Sequence, residues 1–264
     1  MQRADRMWLY SIDENLSGAE NMRRDEKMAL ACAEDRIPRL RFYSWNPWTL
    51  SLGYNQKEER IDREALEAAG YELVRRPTGG RAVFHAHEIT YGVAMPTDGR
   101  GVHETYAQIS DALRRGFERL QATGIEFSRN RPDFREHYQN MDSEGCFSTS
   151  ALNELNWNGR KLVGSAQRRY EDVLLQHGSI LLGDAHLDIV NFLKIAPESR
   201  PAMRERLASR TATLEEILPG PLPSFGEIAE ALLQGFNEAF TVDSVKVDDI
   251  TQPTELSTQT TVHA

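Results

Sequence analysis

Cysteine and lysine are scarce in this chain of 264 residues. The two cysteines, Cys32 and Cys146, lie far apart and fit no metal-ligand spacing. That argues against a disulfide scaffold and a cysteine-built metal centre, and it suits a reducing compartment. Long apolar runs are missing as well: none approaches the roughly 20 residues that span a bilayer. Met1 to Glu14 lacks the apolar stretch of a secretion signal. The chain is therefore expected to be cytoplasmic, with no membrane partner. Positive charge is in deficit, with a formal net charge of −9. A general nucleic-acid binder needs broad positive charge to displace counterions, so no nucleic-acid partner is expected. A local basic patch remains compatible with that total.

What is present is an ordinary globular balance, 40% hydrophobic and 27% charged, which is enough to bury a core. Trp8-Leu9-Tyr10, Leu40 to Tyr43, Thr49 to Leu52 and Tyr71 to Arg76 read as strands. Ala82-Val83-Phe84 and Thr90 to Ala94 read as a strand pair. Gly18 to Arg36 reads as a helix with Met22, Met28, Ala29 and Cys32 on one stripe. Ile61 to Ala69 is a short helix closed by Gly70. Tyr106, Ile109, Leu113, Phe117 and Leu120 mark an amphipathic helix between His103 and Thr123. Asn158-Gly159 is a hairpin signal between Leu152–Trp157 and Arg160–Gln167. Val173 to Leu182 is a further strand. Leu187 to Ile195, Met203 to Ala208 and Phe225 to Phe240 read as helices, and Thr213 with Glu216 fits a capping box. Locally paired strands with inserted helices predict a mixed α+β fold, not a regular parallel βαβ series. One domain is expected over residues 1–250. The polar tail 251–264 lacks apolar periodicity and is expected to be disordered.

Four stretches carry chemistry. In Arg75-Arg76-Pro77-Thr78-Gly79-Gly80-Arg81, two glycines at a strand end let the backbone approach a carbonyl or phosphate oxygen. The flanking arginines favour an anionic or strongly polar group. Read alone, the stretch is equally a tight hairpin with solvated arginines. His85 closes this segment, as a site-lining group or a hydrogen-bonded core residue.

Lysine occurs only at Lys27, Lys57, Lys161, Lys194 and Lys246. Lys161 follows the hairpin turn and precedes Gly164, Ser165 and Ala166, whose small side chains leave room for a ligand. Such a lysine can polarise a carbonyl, and an isolated hairpin lysine can equally just face solvent. Cys32 fits a helix stripe and reads as core. Cys146 lies in a polar loop, Gly145 to Ser150, as a candidate nucleophile or an inert half-buried thiol. His177-Gly178 interrupts an apolar strand, and a supporting role is expected for that histidine.

Together these segments resemble the biotin/lipoate protein ligase catalytic-domain family. The order is Arg75-Arg76-x-Thr78-Gly79-Gly80-Arg81-Ala82-Val83-x-His85, then Gly159-Arg160-Lys161-x-x-Gly164-Ser165-Ala166-Gln167, then His177-Gly178-Ser179-Ile180-Leu181-Leu182. Asn21-Met22 with Asp25-Glu26, Arg41 to Trp45, and Ser51 to Tyr54 are similar to the family too, as is the late Gly235-Phe236 helix. The resemblance spans roughly residues 7 to 240 and implies mixed, largely antiparallel sheets flanked by helices.

Within the family the chain looks most like the cysteine-dependent octanoyltransferases. Gly79-Gly80-Arg81 lacks the third glycine of the ATP-using ligases, Cys146-Phe147 precedes the Lys161 strand, and no sizeable accessory domain follows. The segment departs from the transferases in carrying Ser148-Thr149-Ser150 where a proline is frequent.

The resemblance implies an acyl thioester on Cys146, with Lys161 beside the carbonyl. Arg75, Arg76, Thr78, Gly79, Gly80, Arg81, His85, Gly164, Ser165, Ala166, His177 and Gly178 would bind substrate. It implies no metal and no cofactor. The donor would be octanoyl acyl carrier protein. The acceptor would be a lysine of a lipoyl domain or glycine-cleavage H protein. Arg75, Arg76, Arg81, Arg160, Arg168 and Arg169 would form a basic docking patch. An ATP-dependent lipoate or biotin ligase, an amidotransferase between lipoyl-bearing proteins, and a non-catalytic lipoyl-binding protein are the alternatives.

Overall fold

The computed structural model describes residues 7–128 and 154–254. Strands β1 (Met7–Leu16), β2 (Arg39–Trp45), β6 (Glu88–Pro96), β10 (Val163–Tyr170), β11 (Val173–Leu181) and β12 (Asp243–Lys246) form one sheet, ordered β10-β11-β6-β2-β1-β12. Strand β1 runs parallel to β2 and β12, and the other neighbours are antiparallel. A second sheet places β3 (Thr49–Leu52) between β4 (Glu72–Arg75) and β5 (Val83–His85). A third joins β7 (Ile125–Phe127), β8 (Leu155–Trp157) and β9 (Arg160–Lys161). The helices are α1 (Gly18–Asp35), α2 (Arg63–Ala68), α3 (Val102–Arg119), α4 (Arg200–Ala208), α5 (Leu214–Ile217) and α6 (Phe225–Phe240). This is the expected mixed α+β architecture. Among the described residues no helix is long and apolar enough to cross a membrane.

Helix α1 starts where Ser17 Oγ accepts from the Glu20 N–H at 3.2 Å. It ends at Arg36, whose left-handed φ of 62° lets its N–H reach the Cys32 carbonyl at 3.0 Å. The predicted stripe is buried, with Asp25 among its apolar members. The helix lies between the first two sheets. A Cβ on Gly18 would sit 2.6 Å from Thr49 Cγ2, and one on Gly92 3.4 Å from Met28 Cε. On the sheet's other face, Ile109, Leu113 and Phe117 of α3 meet Ile228, Leu232 and Phe236 of α6, over Phe42, Tyr91 and Val93.

Several expectations need correction. Ala82–Phe84 and Thr90–Ala94 are not a pair: β5 bonds to β3, while β6 lies between β2 and β11. The strand after the Asn158-Gly159 turn is two strands. Arg160–Lys161 pair with β8, and from Val163 the chain joins β11 in the large sheet. Periodicity does not reveal that change of partner. Asp184–Phe192 is a 3-10 helix, where an α-helix over Leu187–Ile195 was expected. Residues 251–254 are held in place: Arg39 donates to the Gln252 carbonyl at 3.0 Å, and the Thr254 N–H to Asp35 at 2.8 Å. Residues 255–264 lie outside the described residues.

Helices α3 and α6 cross in backbone contact. A Cβ on Gly235 would fall 2.3 Å from the Ala112 carbonyl oxygen and 2.4 Å from the Gly116 nitrogen. Backbone there has no rotamer to give. Gly235→Ala should therefore destabilise the protein by about 1–3 kcal/mol, as overpacked cores do. Urea unfolding checks this, and an unchanged midpoint would contradict the close crossing.

Candidate active site

A pocket of about 320 Å³ opens at the seam between the first two sheets, lined by residues of both and of α1. Its floor comes from alternate positions on three paired strands. Ala166 stands beside His177 and His177 beside Gly92, while Gly164 stands beside Ser179 and Ser179 beside Thr90. Small residues on that face leave the space. Met22, Tyr43, Trp45 and Val83 supply apolar walls. Gly178 is needed on the opposite face: a Cβ there would lie 2.6 Å from Ser165 Oγ and 2.7 Å from Tyr91 Cε1. The Tyr91 and Ser165 hydroxyls meet over it at 2.7 Å.

His177 is the centre of a buried relay. Its Nδ1 lies 2.8 Å from Asp25 Oδ2, and its Nε2 2.5 Å from Thr78 Oγ1. Asp25 also accepts from Arg41 at 2.9 Å and from the Tyr43 hydroxyl at 2.8 Å. Burial alone would raise the Asp25 pKa, but His177, Arg41 and Tyr43 together hold it below the usual carboxylate value. Burial lowers the pKa of His177. The neutral ring therefore donates from Nδ1 to the carboxylate and accepts the Thr78 hydroxyl at Nε2. Tyr43, buried against the same carboxylate, keeps its proton far above the ordinary tyrosine range.

His85 repeats the pattern on β5. Nδ1 faces Glu88 Oε1 at 2.8 Å and Ser179 Oγ at 3.2 Å, and Nε2 faces Ser51 Oγ at 2.8 Å. Its ring stacks on Trp45 with centroids 4.0 Å apart. The Trp45 indole donates to Thr90, which donates to Glu88. Both lining imidazoles thus have both nitrogens committed to neighbours, and they offer the pocket ring surface.

The glycine segment is built by its arginines. Arg76 is buried and donates to the carbonyls of Ser51, Gly79 and Arg81 at 3.1, 2.9 and 2.6 Å. It braces the loop, so it cannot belong to a docking patch. Arg75 donates to the carbonyls of Gly53 and Gln56 at 2.8 and 2.6 Å. The Tyr54 N–H reaches the Thr78 carbonyl at 2.8 Å. A Cβ on Gly53 would stand 2.0 Å from the Gly80 oxygen, and Gly80 itself has a φ of +97°. Both positions require glycine. Gly79 and Gly80 are exposed, Arg81 is half-buried, and none of the three lines the pocket.

Lys161 differs most from expectation. It is 4% exposed, not open to a cleft, and its Nζ lies 2.7 Å from the buried Glu154 Oε1. Hairpin position suggested solvent, but β9 is covered by the segment carrying Thr211, which bridges Lys161. Arg160 pairs with Glu216 at 3.0 Å, which removes it from a free basic patch. Cys32 is fully buried, and burial pushes its thiol up to about 12, so it is the inert cysteine. Cys146 lies outside the described residues.

The structure therefore brings Arg76, His85, Gly164, Ser165, Ala166, His177 and Gly178 around one pocket, with Thr78 directly behind. Arg75, Arg81 and Lys161 are not among its lining residues. The supporting roles of Asp25, Arg41, Tyr43, Ser51, Glu88 and Glu154 went unread. Asp25 had a signal, a charge on the apolar stripe three residues after Met22. Glu154 had none.

Comparison with known proteins matches the lipoyl protein ligase A/B catalytic domain to residues 17–237. Octanoyltransferase LipM of Symbiobacterium thermophilum is 39% identical over 253 residues, covering 94% of this chain and 91% of that protein. Octanoyltransferase LipM of Moorella thermoacetica is 39% identical over 235 residues, covering 85% and 83%. A bi-partite lipoate protein ligase from Thermoplasma acidophilum superposes with a TM-score of 0.68 at 22% identity, covering 92% of this chain and 89% of that one. A lipoate-protein ligase A bound with ATP gives 0.66 at 21% identity, covering 93% and 90%. At those identities the two structures speak to the fold alone.

The buried relay fixes a pH dependence. Unfolded histidine takes a proton near pH 6.5, whereas folded His177 resists it. The unfolded state then binds more protons as pH falls below about 6.5, so stability declines there and continues to decline down to the lowered folded value. His177→Gln should lose less stability between about pH 7 and pH 5 than the wild type. Urea melts across that range check it, and parallel slopes would remove His177 as a source.

Proposed function

The chain belongs to the lipoyl protein ligase A/B catalytic-domain family, and we propose that it is an octanoyltransferase of lipoate biosynthesis. It would carry an octanoyl group from acyl carrier protein to a lysine of a lipoyl domain or glycine-cleavage H protein. The observation that carries this reading is the pocket. Apolar side chains and two imidazoles with no uncommitted nitrogen suit an alkyl chain, and the arrangement occurs in a chain 39% identical to proteins named octanoyltransferase. A cytoplasmic setting fits, because a catalytic thiol must stay reduced.

In the proposed reaction the Cys146 thiolate attacks the thioester carbonyl. A bond forms from carbon to Cys146 sulfur, the bond to the carrier's sulfur breaks, and the carrier thiolate leaves to take up a proton. The acceptor lysine, as free amine, then attacks the acyl-enzyme. The amide forms, the amine proton is lost, and the Cys146 thiolate is regenerated. Thioester to amide is downhill, so no ATP is consumed.

Lys161, held by Glu154 on β9, lies two residues before β10, the strand that supplies Gly164 and Ala166 to the pocket, and would stabilise negative charge at the carbonyl. Backbone N–H groups of Gly79-Gly80 would assist as oxyanion donors. An ATP-dependent ligase shares the fold and is the second reading. An amidotransferase would share the acyl-enzyme and differ only in taking its octanoyl group from an amide.

Incubation with octanoyl carrier protein, without ATP, should add one octanoyl group to the intact mass. Cys146→Ala should abolish the adduct, and Cys32→Ala should keep it. Turnover only with free octanoate and ATP would replace this reading with the ligase.

For Lys161, burial changes what a variant does. Breaking a buried ion pair typically costs about 3–5 kcal/mol, so Lys161→Ala should be measurably less stable. At a temperature where it remains folded, acyl-enzyme formation should slow by about 10²- to 10⁴-fold. A folded variant within about threefold of wild type, far short of that range, would leave Lys161 a structural residue only.

A further inference from the structure

Most of the described arginines are neutralised by carboxylates. Arg36 pairs with Asp98 and Asp172, Arg63 with Glu58 and Glu67, Arg114 with Asp111 and Glu118, and Arg204 with Asp184 and Asp188. Arg75 and Arg168 have no such pair; neither has Arg169, but it lies on the opposite face of β10 from Arg168 and donates to the Glu171 carbonyl at 2.9 Å and the Thr97 hydroxyl at 3.1 Å. Arg168 stands two residues along the edge strand β10 from the pocket-lining Ala166, on the same face. Its guanidinium lies 4.5 Å from the Tyr54 ring centroid and 4.8 Å from that of Tyr170, and it donates to the Pro77 carbonyl at 3.0 Å. Arg75 donates only to the carbonyls of Gly53, Tyr54 and Gln56. Neither has a carboxylate partner among the described residues.

These two cations are therefore fixed in direction by neutral groups and keep their charge for the outside, in a chain of net charge −9. Tyr54, 51% exposed, meets Arg75 at its carbonyl and Arg168 at its ring, and is one of the few large exposed aromatic or aliphatic side chains among the described residues. A guanidinium stacked on aromatic rings keeps its edge N–H groups available for oxygen anions. Stacking also lowers the entropy lost when a partner binds.

Resting on the octanoyltransferase reading, we propose that Tyr54, Arg75 and Arg168 form the docking surface for the donor, an acidic carrier protein with its acyl chain on a phosphodiester-linked arm. Such a donor is anionic both at its surface carboxylates and at the phosphodiester, and the planar guanidinium fork matches both. The surface adjoins the pocket wall, so docking there would bring the acyl chain to the pocket. Complementary charge of this kind acts mainly on encounter and on its salt dependence.

The test compares acyl-enzyme formation from octanoyl carrier protein with that from a small octanoyl thioester lacking the protein. Arg168→Glu should lower the second-order rate with the carrier by about tenfold or more and leave the small thioester within about twofold. Arg168→Lys should keep most of the carrier rate. Lys246→Glu, the same charge change on β12 at the opposite sheet edge, should have little effect. For the wild type, added salt should slow the carrier reaction far more than the small-thioester reaction. That comparison stands even if an arginine variant misfolds. Equal losses with both donors, or equal salt dependence, would overturn the docking surface. So would an effect confined to transfer onto the acceptor protein. Failure of the wild type to acylate from either donor would instead sink the transferase reading itself.

Discussion

The buried carboxylate of Asp25 is the interaction on which the rest of the site depends. It stands on α1 between the two sheets, and Arg41, Tyr43 and His177 all point at it. An isolated carboxylate in such a place would be prohibitively desolvated. Its three partners come from the large sheet, and His177 passes the connection on to Thr78 in the loop after β4. One helix residue thereby fixes the spacing of the large sheet and the glycine loop. The pocket is the gap left by that spacing.

Polarity around the pocket is arranged to be spent elsewhere. His177 and His85 each have one nitrogen on a carboxylate and the other on a hydroxyl. Arg76 has its N–H groups on loop carbonyls and on Ser51. A wall made from histidine and arginine therefore has its hydrogen-bonding nitrogens directed at protein neighbours. Hydrogen bonds of this kind contribute modestly to stability, but leaving any one of them unmade in a buried seam costs more. The same Arg76 hydrogen bonds also brace the glycine loop at the Gly79 and Arg81 carbonyls.

Arginine has two separate uses in this molecule. Arg39 and Arg41 are fully buried and act as internal bolts, Arg39 tying α1 and β2 to residues 250 and 252. Arg75 and Arg168 are anchored by neutral groups near the surface. The acidic total conceals this division, because a net charge sums over positions that are already paired and those that are not.

By itself the sequence determined the elements whose signals are local. The stripe on α1, the Asn158-Gly159 turn and the 225–240 helix follow from periodicity and turn chemistry, which depend on near neighbours. The ordered motifs from Arg75 to Leu182 were enough to identify the family, and of the residues they singled out Arg76, His85, Gly164, Ser165, Ala166, His177 and Gly178 line one pocket. Only the tertiary structure decided which strands share a sheet. Chain position does not encode that β5 and β6 part company, or that the strand after Lys161 changes partners. It also decided burial. Lys161 reads as a residue lining a ligand cleft or facing solvent until Glu154 and the Thr211 segment close over it. Arg76 reads as a docking cation until its N–H groups are found on carbonyls. Asp25 was visible as one acid on an apolar stripe, but its histidine lies 152 positions away along the chain. Pairings at such separations are fixed by the packing of sheets and helix together, and no local pattern records them.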